Sequence, residues 1–233
     1  SKLEKEIKKN DGKIYFDHKV TKIITKDNSI DSVNIIDNKS TKKNVKYDIV
    51  ISTAPYQVLD KLIDLDQKIQ NSMNKVEYMS AIVMILVLNN SLSEYYWLSI
   101  AENKFPFLGI IEHTNLIPKE KYGDKNIIYI TNYVENDNNL LKYSYKELID
   151  LYTPYLKKIN KNFDKDWILE YRFNKINYAQ PIIPVNYSKN IIPLSLPIKG
   201  LFSGNTAQIY PEDRGTNYAV ALGNKITKLI IKN

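Results

Sequence analysis

Cysteine is absent from this 233-residue sequence. The chain therefore has no disulfide bridge, no thiolate zinc site and no cysteine-bound iron–sulfur cluster. Long apolar runs are absent too: the longest, residues 81–88, falls far short of the ~20 residues that a membrane-spanning helix needs. The opening residues also lack the apolar core of a signal peptide. These absences lead us to expect a cytoplasmic protein with no membrane span.

Arginine is nearly absent, although the chain is basic. Lysine and arginine number 33 against 26 acidic residues, a net charge of +7, yet only Arg172 and Arg214 are arginines. Arginine is the residue that most often contacts bases and phosphates in nucleic-acid-binding proteins, and the lysines form no dense cluster along the sequence. We therefore expect no nucleic-acid partner. The 43% hydrophobic and 25% charged residues are typical of a folded globular protein.

Glycine is scarce as well. The seven glycines stand at positions 12, 109, 123, 200, 204, 215 and 223, and no two of them are two residues apart. The G-x-G-x-x-G loop that cradles the diphosphate of a dinucleotide is therefore missing. His18 and His113 are the two histidines. Two such residues far apart in sequence make a poor metal site.

The first sixty residues favour β structure that leads into a buried strand. Short runs rich in Ile, Val and Tyr predict strands at 13–16, 20–25 and 32–36, and residues 27–29 supply turn chemistry for a hairpin. In residues 46–52, KYDIVIS, Asp48 precedes a continuous apolar run, which is typical of a parallel strand buried on both faces. Pro55 then opens a helix that extends to about Leu62.

The middle of the chain predicts further strands and one helix. Strand candidates lie at 80–88, 108–113, 126–134 and 167–173. Ser144 and Glu147 fit a capping box ahead of an apolar helical face, with a bend at Pro154. Four prolines between 179 and 197 predict an extended loop. We expect an α/β (α+β) fold in which a mixed or antiparallel sheet is flanked by helices.

The C-terminal segment is the most informative. Residues 200–205 predict a short strand that ends at Gly204 and Asn205, and residues 218–230 have helical apolar spacing, with Thr216 or Asn217 as the N-cap. A crevice at the carboxyl end of such a strand is a common ligand site, and free amides at a helix N-terminus favour an anion. We expect those amides to point into the crevice. The alternative is that Gly204 and Gly215 serve only packing and turns.

Three stretches together resemble the flavin-containing amine oxidase superfamily, in the branch near protoporphyrinogen oxidase and phytoene desaturase. They occur in the family order: GKIYFDHKVTKI, YDIVISTAPYQVL and GLFSGNTAQIYPEDRGTNYAVALG. The resemblance implies FAD as the cofactor and hydride transfer from an organic substrate to the flavin. Because the glycine loop is missing, we expect this chain to be the C-terminal part of a longer enzyme, without FAD and inactive by itself.

The resemblance also implies a set of flavin contacts. Val20 would meet the adenine through its backbone, and Asn205, after Gly204, would lie near the ribityl and diphosphate groups. Arg214, beside Asp213, would either form an ion pair or face the phosphates. The flavin N1–C2 carbonyl edge would receive the amides that follow Gly215, those of Thr216, Asn217 and Tyr218.

Candidate substrate residues are fewer. His113 would act as a base or hydrogen-bond donor, or else it is an ordinary core residue; Glu112, its neighbour, would point to the opposite face of the strand. Aromatic residues at 95–97 and 105–107 would form either a pocket wall or core. We find no nucleophile with a paired base, so no catalytic residue is assigned beyond His113.

The expected organisation has two parts. Residues 1–56 and 197–233 would be a partial FAD-binding domain, and residues 57–196 a substrate domain. Two other functions stay open: a flavin-dependent sugar-nucleotide mutase, which would need cations for a diphosphate, and a cofactor-free binding module. The sequence leaves the substrate, the electron acceptor and the oligomeric state undetermined.

Overall fold

The computed structural model describes residues 1–232. In chain order the helices are α1 (Lys2–Lys9), α2 (Tyr56–Leu59), α3 (Gln67–Asn74), α4 (Tyr145–Ile159) and α5 (Thr216–Lys232). The strands are β1 (Lys19–Lys26), β2 (Ser29–Ile36), β3 (Lys42–Lys46), β4 (Val50–Ser52), β5 (Tyr78–Leu88), β6 (Trp97–Ser99), β7 (Gly109–Glu112), β8 (Asn126–Val134), β9 (Ile168–Pro181) and β10 (Leu201–Ser203). The mixed α/β class with antiparallel sheets confirms the predicted fold class.

The chain divides into two compact units, one of residues 1–76 with 183–233 and one of residues 77–182. In the first unit β1, β2 and β3 form an antiparallel sheet, and β4 pairs in parallel with β10. The β1–β2 hairpin turns at Asp27 and Asn28, whose φ angles of 49° and 55° are left-handed values that Asp and Asn tolerate. This confirms the predicted hairpin.

The second unit is a five-stranded antiparallel sheet covered by one helix. The strand order is β6-β7-β8-β5-β9. Alternate residues of β5 and β8 are buried and form a core with Leu148, Tyr152 and Leu156 of α4. Helix α4 begins at the predicted capping box, in which the Ser144 hydroxyl accepts from the Glu147 amide. Pro154 lies inside this helix.

Several predicted elements differ in the structure. Residues 13–16 form no strand, the helix after Pro55 is only one turn, and α1, β3 and α3 were not predicted. Residues 57–76 and 183–196, which we expected in a substrate domain, lie in the first compact unit. Hydrogen bonds tie both segments to that unit: the Ile23 amide of β1 donates to the Leu62 carbonyl, and the Ser203 amide of β10 donates to the Leu194 carbonyl.

Candidate functional site

The parallel pair β4–β10 organises the first unit. Val50, Ile51 and Ser52 lie opposite Leu201, Phe202 and Ser203, which confirms that the two predicted strands share a sheet. The Val50 amide donates to the Gly200 carbonyl (2.8 Å), and the Gly204 amide donates to the Ser52 carbonyl (2.9 Å). Gly200 has a φ of +82°, and a Cβ there would overlap the Asp48 carbonyl. Only glycine suits that entry to β10.

Gly204 lets helix α5 approach the end of β10. A Cβ at this position would overlap Cδ1 of Ile226 and lie 3.6 Å from Cδ2 of Leu222. Leu222 and Ile226 are the buried residues of α5. Gly204 therefore has a packing function whatever else it contacts.

Asn205 joins the carboxyl ends of the two strands. Its buried side chain accepts from the Ala207 amide (2.9 Å) and donates to the Ala54 carbonyl (3.3 Å). Its own amide donates to Oε1 of Gln208 (2.9 Å). These bonds hold the end of β10 beside the residues that follow β4.

A cavity of about 430 Å³ opens beside Gly204 and Asn205. Its other walls come from residues in and after β4, from residues that follow Asn205, and from α5 between Ala219 and Thr227. The helix thus faces this cavity with its flank and not with its N-terminus. Thr216, Asn217 and Tyr218, whose amides we expected to point into the crevice, do not line this cavity. Leu222 and Ile226 of α5 lie beside Gly204 instead.

Helix α5 begins at Thr216, so Thr216 and Asn217 are helical residues and not the N-cap. The Gly215 carbonyl accepts from the Ala219 amide (2.9 Å). Within residues 1–232, the amides of Thr216, Asn217 and Tyr218 have no hydrogen-bond acceptor. A Cβ on Gly215 would lie 2.7 Å from Oδ1 of Asn217. The helix start therefore presents free donors beside a position that a side chain would crowd.

Arg214 and Val20 lie elsewhere in the same unit. The half-buried Arg214 donates its backbone amide to the Asp213 carboxylate (2.8 Å). Val20 lies opposite Ile35 in the β1–β2 hairpin and is 38% exposed. It lines a second cavity of about 500 Å³ together with Ile49 and Ile51. The predicted flavin contacts are thus distributed over two cavities and one helix end.

The chemistry of these cavities fits one part of FAD better than another. None of the residues that line either cavity carries a charge. Apolar walls suit the uncharged ring systems of a dinucleotide. The diphosphate needs cations or a cluster of free amides, and the free amides lie only at the start of α5 among the predicted contacts. The described residues therefore fit the rings and provide little for the diphosphate.

His113 begins a short turn after β7 in the second unit and is half-buried. Its Nε2 lies 2.7 Å from the Tyr122 hydroxyl, and its ring meets that of Tyr129 edge-on at 6.0 Å. Phe105 and Phe107 pack on Tyr155 and Tyr152 of α4 and so belong to the core. Of the two alternatives for these aromatic residues, pocket wall or core, the structure therefore supports the core for Phe105 and Phe107.

Glu112 is a residue whose importance the sequence did not reveal. Its carboxylate is fully buried and accepts from the Ser91 hydroxyl (2.7 Å), the Leu92 amide (3.0 Å) and the Ser93 amide (2.7 Å). It therefore fixes the loop after β5. The sequence did contain one signal: Glu112 is a single acidic residue at the end of the apolar run of β7. Glutamate is rarely buried unless hydrogen-bonding or charged partners surround it.

Residues 1–232 contain no group of three or more His, Asp or Glu side chains that could hold a metal ion. No helix in that range has both the length and the apolar character needed to cross a membrane.

One family model matches the chain, and solved structures share its fold. The model of the flavin containing amine oxidoreductases matches residues 2–206. No curated protein matches the chain. The fold resembles an oxidoreductase from Methanosarcina mazei (TM-score 0.69, 19% identity), with 98% of this chain and 52% of that one covered.

Two further solved structures share the fold. A protein assigned as a protoporphyrinogen oxidase, from Exiguobacterium sp. 255-15, gives a TM-score of 0.71 at 13% identity and covers 99% of this chain and 51% of its own. Reduced UDP-galactopyranose mutase gives 0.58 at 16% identity, over 76% and 39%. This chain spans about half the length of the first two structures. The match over residues 2–206 shows that the chain belongs to the flavin-containing amine oxidoreductase family.

Proposed function

We propose that this chain is the C-terminal part of an FAD-dependent oxidoreductase that oxidises an organic substrate. Residues 1–76 and 183–233 would be part of its flavin domain, and residues 77–182 its substrate domain. Membership of the flavin-containing amine oxidoreductase family supports the cofactor. The observation on which the proposal depends most is the start of α5, where three consecutive amides lack an acceptor within residues 1–232.

The residues of this chain would hold and tune the cofactor. The amides of Thr216, Asn217 and Tyr218, at the positive end of the α5 dipole, would bind the carbonyl edge of the flavin ring and stabilise negative charge there. The backbone of Val20 would contact the adenine. FAD supplies the oxidant when it is bound, accepting a hydride from the substrate. The chain then needs no strong acid–base group of its own.

His113 is the strongest candidate for proton handling in the second unit. Its hydrogen bond with the Tyr122 hydroxyl fixes the ring orientation, and Tyr122 is 40% exposed. Such a pair can exchange a proton with solvent. We propose that His113 donates a hydrogen bond to the substrate rather than serving as an obligatory base.

The mutase alternative has less support. UDP-galactopyranose mutase resembles the chain over a smaller share than the two oxidoreductase structures do. A sugar nucleotide needs cations for its diphosphate, yet the residues lining the two cavities are uncharged. Arg172 and Arg214 lie in different compact units.

The test is the flavin content of the longest polypeptide in the reading frame that contains this sequence. We expect it to purify with FAD, and we expect the flavin to bleach when oxidisable substrates are added without oxygen. Replacing Gly215 with Val should weaken FAD binding with the fold kept, whereas Gly223→Ala, where an added Cβ meets nothing within 4 Å, should not. Activity that requires the bound flavin to be reduced beforehand would favour the mutase alternative. A polypeptide without flavin would favour the binding module.

A further inference from the structure

Two tyrosine rings of the second unit lie face to face. The ring centroids of Tyr145 and Tyr171 are 3.5 Å apart, and the ring planes differ by only 3°. Aromatic pairs ordinarily prefer an offset or edge-on arrangement with the centroids further apart. Tyr78 and Tyr178 have that usual form, since their rings meet edge-on with the centroids at 5.9 Å. The Tyr145–Tyr171 stack is therefore unusually close for two phenol rings.

The elements that carry the two rings hold them together. Tyr145 is the first residue of α4, directly after the capping box, and helix α4 packs on the sheet through Leu148. Tyr171 lies on β9 opposite Leu86 of β5. β9 is a terminal strand of the five-stranded sheet, and Tyr171 is 45% exposed. Dissolved reagents can therefore reach this stack.

The overlap brings together the ring carbons that oxidation makes reactive. A tyrosine that loses one electron and its phenolic proton becomes a radical, whose unpaired electron is shared by the oxygen and by ring carbons that include both ortho positions. Carbon atoms of two stacked rings cannot approach much closer than 3.5 Å, so the ring centres of Tyr145 and Tyr171 lie nearly one over the other. However the rings are turned in their planes, an ortho carbon of one then lies over or next to an ortho carbon of the other.

We propose that Tyr145 and Tyr171 form an oxidative modification site, at which a one-electron oxidant joins the two rings by a carbon–carbon bond as dityrosine. Each ring loses one electron to the oxidant and its phenolic proton to water. The ortho carbons of the two radicals then bond, and the hydrogen on each of these carbons moves to the phenolic oxygen of its own ring. In total two electrons pass to the oxidant and two protons to water. The inference concerns a modification and does not depend on the proposed reaction.

The test oxidises this chain at low concentration with persulfate and a light-activated ruthenium complex. This reagent removes single electrons from tyrosine, and each persulfate ion accepts two electrons and becomes two sulfate ions. Trypsin cleaves after lysine and arginine, so residues 143–146 and 166–172 form separate peptides. We expect mass spectrometry to find these two peptides joined with the loss of two hydrogen atoms. Groups held in position react much faster than groups that must first meet, so unfolding in urea should lower the yield of this link by about tenfold.

Two matched variants localise the link. Tyr145→Phe has no phenol to oxidise at the stack and should lower the yield by about tenfold. Tyr143→Phe removes a 36% exposed tyrosine of the same tryptic peptide and should leave the yield unchanged. Oxidation that consumes other tyrosines but leaves residues 145 and 171 unlinked would overturn the inference. A link that survives Tyr145→Phe, or whose yield rises with chain concentration, would overturn it too. Should a variant fail to fold, the comparison of the unsubstituted chain with and without urea still decides.

Discussion

The packing of α5 on β10 can be tested by adding one methyl group. In Gly204→Ala the new Cβ would overlap Cδ1 of Ile226. That atom is the end of a flexible side chain, so the helix can adjust at the cost of a strained rotamer. Overpacking of this kind costs about 1–3 kcal/mol. Replacing glycine also restricts the unfolded chain, which offsets about 0.4–1 kcal/mol. We expect a net loss near 1–2 kcal/mol.

The structure also predicts which second change restores stability. Ile226→Val deletes Cδ1 and by itself should cost about 0.5–1.5 kcal/mol. In the double variant the added methyl occupies the vacated space, so its stability should match that of Ile226→Val alone. Gly223→Ala is the control on the same helix, because its Cβ meets nothing within 4 Å. It should raise stability by about 0.5–1 kcal/mol through helix propensity.

Urea unfolding followed by circular dichroism measures all four proteins, and amide exchange at Leu222 reports the first unit separately. A loss near 1–2 kcal/mol shifts the melting temperature by about 2–8 °C for a chain of this size. Gly204→Ala as stable as Gly223→Ala would refute the close approach of α5 to β10. So would additive losses in the double variant.

Three further substitutions probe the second unit. Glu112→Ala should cost about 2–4 kcal/mol in urea unfolding, because it leaves the buried Leu92 amide and the partly buried Ser93 amide without an acceptor. A loss below about 0.5 kcal/mol would contradict that role. Hydrogen bonds with Ser144 lower the pKa of the Glu147 carboxyl below 4.5 in the folded chain. The stabilisation that this carboxylate provides is therefore present above pH 4.5 and is lost as the pH falls through the pKa of the folded state. Glu147→Gln should keep the cap and remove this pH dependence in acid titrations of stability. Burial raises the pKa of Tyr152 from 10.0 to about 12, so the fold loses stability as the pH rises between these two values. Tyr152→Phe should abolish this alkaline loss of stability and cost little at pH 7. An alkaline stability profile unchanged by Tyr152→Phe would contradict the assignment to Tyr152.

The sequence predicted local structure where short-range chemistry decides it. The Asp27–Asn28 turn, the Ser144–Glu147 capping box and the strand at 126–134 all appear as expected. The parallel pairing of β4 with β10 was also predictable, since both strands read as buried segments of one sheet. Helix α1 was missed although its sequence carries helix signals: Ser1 and Glu4 form a capping box, and Leu3 and Ile7 have helical spacing.

The site was less predictable, because it depends on how elements pack. The spacing between Gly204 and Gly215 suggested a crevice closed by a helix N-terminus, whereas the cavity beside Gly204 is walled by the flank of α5. Which turn of a helix meets a strand is decided by residues such as Ile226, far along the chain. The apolar run around Ile51 likewise carried no sign that one edge of β4 would be open.

The most direct test of the account is an FAD titration of this chain, followed by flavin fluorescence and by the flavin-to-protein ratio after desalting. The free amides of α5 and the uncharged cavities provide for the rings but little for the diphosphate. We therefore expect the chain to retain no FAD after desalting, while the longer polypeptide of its reading frame retains close to one FAD per chain. Stoichiometric FAD on residues 1–233 alone would contradict the claim that they form only part of a flavin site.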